Sequence, residues 1–358
     1  MAKRLLKSGM WGCVAGVALA LSSAGMAAQD GMAAKVQAMV SARAAAGKGE
    51  TALYAVQLNT GKSVAVDADV PVQTASVIKL GILYEAMVQI REGNAKWDEP
   101  ITLKKGEAVP GSGILTLLDA PITITLKDAL TLMVIVSDNT ATNLMIDRFG
   151  LDKVNARMES LGLKNTHLYK KVFKPAVGPM PADYAKFGLG KTTPREIADL
   201  MEDIGLCRLH PLDSKHGMLK WTPMDEQDRA VCGVALGMLK NQFYRETIPR
   251  YLESADVTTT GGVAIASKTG SLDAVRADVA IVMGKESDGV AEPMVLAIFT
   301  YDNADHGWTV DNEGELTIAR LAKEIVTAWS PQGLDGKMLV PGLGLLESSK
   351  TAADAAQR

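Results

Sequence analysis

Histidine, cysteine and aromatic residues are scarce in this chain of 358: four histidines, three cysteines, and Phe, Trp and Tyr together only 5%. The histidines, His167, His210, His216 and His306, are scattered, and no CxxC, HxxH or HExxH spacing occurs, which argues against a dedicated zinc site. Long apolar runs are also lacking. Past the N-terminus nothing approaches the roughly 20 apolar residues of a membrane span. Neither sign of charge dominates, since 38 Lys+Arg face 41 Asp+Glu, so no global field points to nucleic acid as a partner. With 47% hydrophobic and 22% charged residues, dominant disorder is excluded, and the length suits one large core or two modest domains.

What is present begins with a leader. Lys3, Arg4 and Lys7 precede the apolar run 11–21, and small residues follow to Ala28. That order predicts a signal peptide over residues 1–28, cleaved near Ala27 or Ala28, and hence a periplasmic or extracellular protein with no stable membrane span after processing. Cys13 precedes the apolar core and is a poor lipidation site. Cleavage removes three positive charges and no acids, leaving a net charge of about −6. Cys207 and Cys232 remain. They could pair in an oxidising compartment or sit as small buried hydrophobes; spacing alone does not decide.

The apolar periodicity predicts a helix over 31–46, a hairpin of strands 51–58 and 63–66 turning at Asn59-Thr60-Gly61-Lys62, and a helix from Ser76 to about Ile90. Further helices are predicted at 126–136, 140–149, 152–161, 194–204 and 228–239. The fourth of these is opened by Thr193-Pro194-Arg195-Glu196, a capping box with proline in the first turn. Strand periodicity returns at 263–267, 277–283 and 294–301, before a last helix at 316–329. This order predicts an α+β fold. Residues 29–75 and 260–330, from both chain ends, build an antiparallel sheet flanked by terminal helices, beside an all-helical domain over 76–259, with a cleft between them and a mobile tail over 331–358.

Three polar triplets sit at the edges of apolar elements. Ser76-Val77-Ile78-Lys79 places a hydroxyl and an amine one helical turn apart, where a neutral amine can accept the serine proton. Alone the spacing is weak, because a capping serine and a solvated lysine produce it too. Ser137-Asp138-Asn139 follows an apolar helix, and Lys268-Thr269-Gly270 closes a strand further on. Together, in this order, the chain resembles the penicillin-recognising serine hydrolases, and specifically class A β-lactamases, over about residues 31 to 330; the longer run Ser137-Asp138-Asn139-Thr140-Ala141-Thr142-Asn143-Leu144 adds to the match.

The resemblance implies an acyl-enzyme on Ser76, formed without metal or organic cofactor. It makes Lys79 the proton acceptor and Ser137 the relay to the leaving nitrogen. Asn139 would bind a substrate amide and Asp138 would brace the loop. Lys268 and Thr269 would face a substrate carboxylate, Gly270 would let the strand approach closely, and the N–H groups of Ser76 and Ser271 would form the oxyanion hole. Arg276, six residues past Gly270, would reach the same carboxylate, or else pair with Asp278 or Asp273. The implied partner is a β-lactam or a D-Ala-D-Ala-type small molecule. The alternatives are a D,D-peptidase or transpeptidase acting on peptidoglycan stem peptides, and a sensor that stays acylated.

One departure stands out. Class A enzymes carry a glutamate before the helix at Thr193 that activates the deacylating water, yet 164–193 contains no glutamate. Its one acid is Asp183, a possible substitute, and Tyr169-Lys170-Lys171-Val172-Phe173 stands where the glutamate is expected. Slow deacylation follows as an expectation. Lys164, Lys170, Lys171, Lys174, Lys186 and Lys191 crowd the same segment, either attracting an anionic substrate or merely solvated. Gly188-Leu189-Gly190-Lys191-Thr192 only resembles a phosphate loop, since no strand precedes it, and reads as a loop before the capped helix.

Overall fold

The computed structural model describes residues 12–212, 220–253, 262–287 and 290–345. Lys3, Arg4 and Lys7 of the expected leader, the expected junction at residue 260, and the tail after residue 345 lie outside the described residues. Five strands, β1 (Glu50–Gln57), β2 (Ser63–Val66), β3 (Ile265–Leu272), β4 (Val275–Ser287) and β5 (Val290–Tyr301), form one sheet in the order β3-β4-β5-β1-β2. The principal helices are α1 (Gly12–Ala45), α2 (Lys79–Arg91), α3 (Leu126–Ile135), α4 (Asn139–Phe149), α5 (Leu151–Ser160), α6 (Pro194–Leu206), α7 (Glu226–Lys240) and α8 (Glu313–Trp329).

The sheet is antiparallel and is completed by the two halves of the chain, with Glu50 of β1 opposite Tyr301 of β5. Both faces are covered, which is why β4 and β5 read as nearly continuous apolar runs rather than an alternation. Leu53, Ala280, Leu296 and Ile298 face one core with Met32, Val36 and Val40 of α1 and Ile318, Leu321 and Ile325 of α8. Ala277, Val279, Ile281, Val295 and Phe299 face the other, which continues without a break into α2, α3, α4 and α7. Helix α6 lies directly on this second face, so close that a Cβ on Gly205 would stand 2.7 Å from Ile281 Cδ1. Thr193 accepts a hydrogen bond from the Glu196 N–H and Pro194 opens the first turn of α6, but the expected box is only half made, because the Glu196 carboxylate accepts from the Asn165 N–H at 2.9 Å and from Thr166 Oγ1 at 2.8 Å instead of returning to Thr193.

Several expectations change. Helix α1 does not start near residue 31; it runs unbroken from Gly12 through the expected cleavage site, because the segment is alanine-rich on both sides of it and alanine favours helix everywhere. Lys268, Thr269 and Gly270 lie inside β3 instead of closing it, since pairing with β4 continues to Leu272 opposite Val275. Gly190–Thr192 is a short strand, paired with both Val72–Gln73 and His167–Leu168, not a loop. Residues 331–345 do not trail as a mobile tail: Leu339 and Leu343 are buried in the core beside α6 and β4. Cys207 and Cys232 are joined in a disulfide, Cα to Cα 5.8 Å, across a separation of 25 residues, a loop whose closure restricts the unfolded chain by about 3 kcal/mol.

Candidate active site

Ser76 stands where the chain leaves the strand Val72–Gln73 and enters the 3-10 turn Ala75–Ile78 that leads into α2. Ala75 takes a left-handed φ of 45°, an uncommon conformation for alanine that aims the start of the turn at β3. A Cβ on Gly270 would lie 2.9 Å from Ser76 N and 3.0 Å from Val77 N, so only glycine lets β3 touch the helix start. Ser76, Ser137, Thr269, Gly270 and Ser271 all line one cleft of about 310 Å³. Backbone N–H groups at this junction of helix start and strand favour negative charge placed beside them.

Behind Ser76 the second and third triplets meet. Lys79 Nζ donates to the Ser137 carbonyl (2.7 Å), to Ser137 Oγ (3.0 Å) and to Asn139 Oδ1 (3.0 Å). From the other side Lys268 Nζ donates to Ser137 Oγ at 3.1 Å and to the Thr269 carbonyl at 2.7 Å. The Ser137 hydroxyl is therefore held between two amines that come from residues 58 and 131 positions away in sequence. Ser137 has a left-handed φ of 53°, which turns its side chain back toward α2 at the break between α3 and α4. Asp138 fastens that break: Oδ1 accepts from the Ala141 N–H at the start of α4, and Oδ2 accepts from the Ile114 and Leu115 N–H groups of the facing loop. Gly113 passes so close to Asp138 that a Cβ there would lie 2.2 Å from its carboxyl carbon.

Both lysines are fully buried. Burial, with the Lys268 charge adding to it, pushes the Lys79 ammonium well below the ordinary lysine range. Burial likewise lowers Lys268, to about 7, against the opposing pull of the Asp278 carboxylate. Asp278 is itself pushed up to about 6 by burial, although Thr247 Oγ1 and the Ile248 N–H donate to it at 2.6 and 3.1 Å. Two adjacent buried amines repel each other when both are charged, which favours the neutral form of one of them.

Arg276 goes elsewhere than expected. It is fully buried beside the cleft and is not among the cleft-lining residues. Its guanidinium donates to the carbonyls of Leu272, Val275 and Gly307, lies 3.2 Å from Glu315 Oε1 and sits 4.7 Å from the Trp308 ring centroid. Neither Asp278 nor Asp273 is its ion-pair partner; Glu315, on the last helix, could not be matched to it from spacing within one hairpin.

The glutamate-free segment comes up beside Asn139. Val172 is clamped through its backbone, donating to Asn143 Oδ1 at 2.8 Å and accepting from Asn143 Nδ2 at 3.0 Å. The ring of the next residue, Phe173, lies with the Asn139 amide against Gly111, where an added Cβ would contact both. Asp183 does not line the cleft. Lys191 Nζ (2.7 Å) and the Tyr169 hydroxyl (3.1 Å) hold it, and the Lys191 hydrogen bond keeps its carboxyl below the usual range. The lysines are largely used locally: Lys171 pairs with Asp147, Lys170 lies over Tyr184 and Lys186 over Phe187.

Sequence reasoning missed several cleft residues: Ser112, Tyr244, Glu246, Thr247, Trp308 and Glu315. Only Ser112 had a signal, the turn-forming Gly111-Ser112-Gly113, whose Ser112 carbonyl accepts from the Asn139 N–H at 2.9 Å.

Residues 31–329 match the sequence profile of the Beta-lactamase enzyme family. Among solved structures, a beta-lactamase from Sphaerobacter thermophilus is 26% identical, with 82% of this chain and 96% of that chain covered and a TM-score of 0.63. PBP-A, at 23% identity with 84% and 96% covered and a TM-score of 0.65, shares the fold, as does a leucine-to-glutamate variant of it described as an acyl-enzyme complex with penicillin G. No curated protein matches the chain.

Proposed function

The chain belongs to the Beta-lactamase enzyme family and is a serine β-lactamase-like hydrolase, and from that premise we propose that it is an exported enzyme of class A type that acylates fast and deacylates slowly. The observation that carries this reading is the Ser137 hydroxyl held between Lys79 and Lys268. In its neutral form Lys79 gives up one of its three donated hydrogen bonds, and the lone pair so freed takes the Ser76 proton as Oγ bonds to the lactam carbonyl carbon. The N–H groups of Ser76 and Ser271 hold the oxyanion. As the C–N bond breaks, the proton returns through Ser137 to the leaving nitrogen, while Lys268 and Thr269 receive the substrate carboxylate. Asn139 accepts from Lys79 and donates one amide hydrogen to the Pro110 carbonyl at 3.1 Å, which leaves its second amide hydrogen for the substrate side chain. Export is supported by the leader pattern and by the Cys207–Cys232 bond, which suits an oxidising compartment.

Hydrolysing the acyl-enzyme needs a second base, for a water. Segment 164–193 has no glutamate, and its one acid, Asp183, is taken up by Lys191 and the Tyr169 hydroxyl. A burst of β-lactam opening near one equivalent of protein is therefore expected, followed by slow turnover, with the adduct visible by intact-mass spectrometry for minutes. Many rapid cycles without an accumulated adduct would overturn slow deacylation. The same lack favours a second reading, a D,D-peptidase or transpeptidase on stem peptides; release of D-alanine from a stem peptide would support it.

The two amines also imply a pH profile. The productive state has Lys79 neutral and Lys268 charged. Acylation should rise as pH climbs through the lowered Lys79 value and fall as Lys268 loses its proton near about 7. Lys268→Arg, which keeps its charge, should move the falling limb upward. Acylation rates that only rise between about pH 5 and about pH 9 would contradict this assignment of the two lysines.

A further inference from the structure

The cleft has an acidic wall that the reaction does not use. Glu246 and Glu315 are the charged residues among the described ones that line it, while Lys268 stands buried behind Ser137 and Thr269. Glu315 has Arg276 3.2 Å away as a counter-ion. Glu246 is half-buried and, among the described residues, has neither an ion-pair nor a hydrogen-bond partner. The basic groups around it are engaged elsewhere: Arg245 pairs with Glu253, Arg250 with Asp311, and Arg276 with Glu315 and three carbonyls. The chain on either side is fixed. Thr247 and Ile248 are bound to the buried Asp278, and the Tyr244 hydroxyl donates to the Val136 carbonyl at 3.4 Å. A carboxylate is thus held in place at the cleft with no cation of its own.

Two aromatic side chains accompany it. Trp308 is 67% exposed and Tyr244 39%, and both line the cleft with Glu246. Aromatic faces beside a carboxylate attract a diffuse cation, and neither group attracts an anion. Glu246 also raises the cost of the Glu315 charge. A positive group seated near both would relieve that repulsion.

We propose that Glu246, with Glu315, Trp308 and Tyr244, forms a cation subsite on the leaving-group side of Thr269 and Ser271, so that the protein prefers substrates carrying a positive group there. The inference rests on the acyl-enzyme reading above and adds to it a substrate class: zwitterionic β-lactams, or acyl-D-amino compounds whose leaving part bears an ammonium. With Arg276 committed to Glu315 and to backbone, this end of the cleft favours a cation where an open arginine would favour an anion.

The test compares two cephalosporins with the same acyl side chain, one with a pyridiniummethyl and one with an acetoxymethyl group at C3. Second-order acylation rates are followed by intact mass on the natural protein and on Glu246→Gln and Glu246→Lys. The intrinsic reactivity of the two compounds differs but cancels when their rate ratio is compared between proteins. Glu246→Gln should lower the pyridinium-to-acetoxy ratio by about five- to twentyfold, chiefly by slowing the pyridinium compound, and Glu246→Lys should lower it further. In the natural protein, added salt should shrink the ratio in the same direction. An unchanged ratio in both variants, with no salt dependence, overturns the subsite while leaving the acyl-enzyme reading in place. Absence of a Ser76 adduct with either compound overturns both.

Discussion

Ser76→Ala is expected to leave the protein folded and to lower acylation by a penicillin by about 10⁴-fold or more, below detection in an intact-mass experiment. The serine is partly exposed at the cleft, and the turn that carries it is set by backbone contacts with β3, so removing one oxygen leaves the packing intact. What is lost is the oxygen on which the proposed acyl bond forms. Unlike a deleted relay group, a missing nucleophile has no partial substitute. The thermal midpoint and near-UV circular dichroism should match those of the natural protein. A mutant that still gains the mass of the opened penicillin, on another serine such as Ser112 or Ser137, would remove Ser76 from the mechanism.

The second large effect concerns Val172. The proposed slow release rests on a missing base for water, and within Tyr169–Phe173, where the glutamate is expected, the structure favours position 172 over position 171. Lys171 reaches outward to Asp147 at 2.7 Å. Val172 is buried, with both backbone groups locked to Asn143, one turn along α4 from the Asn139 that accepts from Lys79. Val172→Glu is therefore expected to accelerate deacylation by about 10² to 10⁴, the usual contribution of a positioned general base. Acylation should change little, so a stalled burst becomes steady turnover. Burying a carboxylate where a valine sat costs stability, and a lower thermal midpoint is expected alongside. Val172→Gln separates the two effects, since it is similarly bulky and polar but cannot take a proton. Equal release rates from the Glu and Gln variants would show that no base is supplied from this position.

Much of this protein is legible in its sequence because the signals are local. The Thr193 cap with Pro194 in the first turn, the strand-turn-strand of β1 and β2 and the helical period after Ser76 each depend on neighbours a few residues away, and each appears where expected, whereas the Glu196 half of the expected capping box is lost to Asn165 and Thr166. The three triplets were readable too, because their order along the chain resembles that of a known family, each being a short local string of polar residues at the edge of an apolar element. Spacing did not reveal who meets whom across the fold. Glu315 captured Arg276, Lys191 captured Asp183, and Asn143 rather than any residue of the loop set the position of Val172. Those pairings join segments 8 to 39 residues apart, and the Ser137 hydroxyl joins lysines 58 and 131 residues away. The acidic wall was equally hidden, because Glu246 and Trp308 are unremarkable in their own neighbourhoods and become one surface only when β3, β4 and α8 stack. A side chain's charge and shape are written in the sequence, but its burial and its partner belong to the packed core. It was burial, more than residue type, that lowered both lysines.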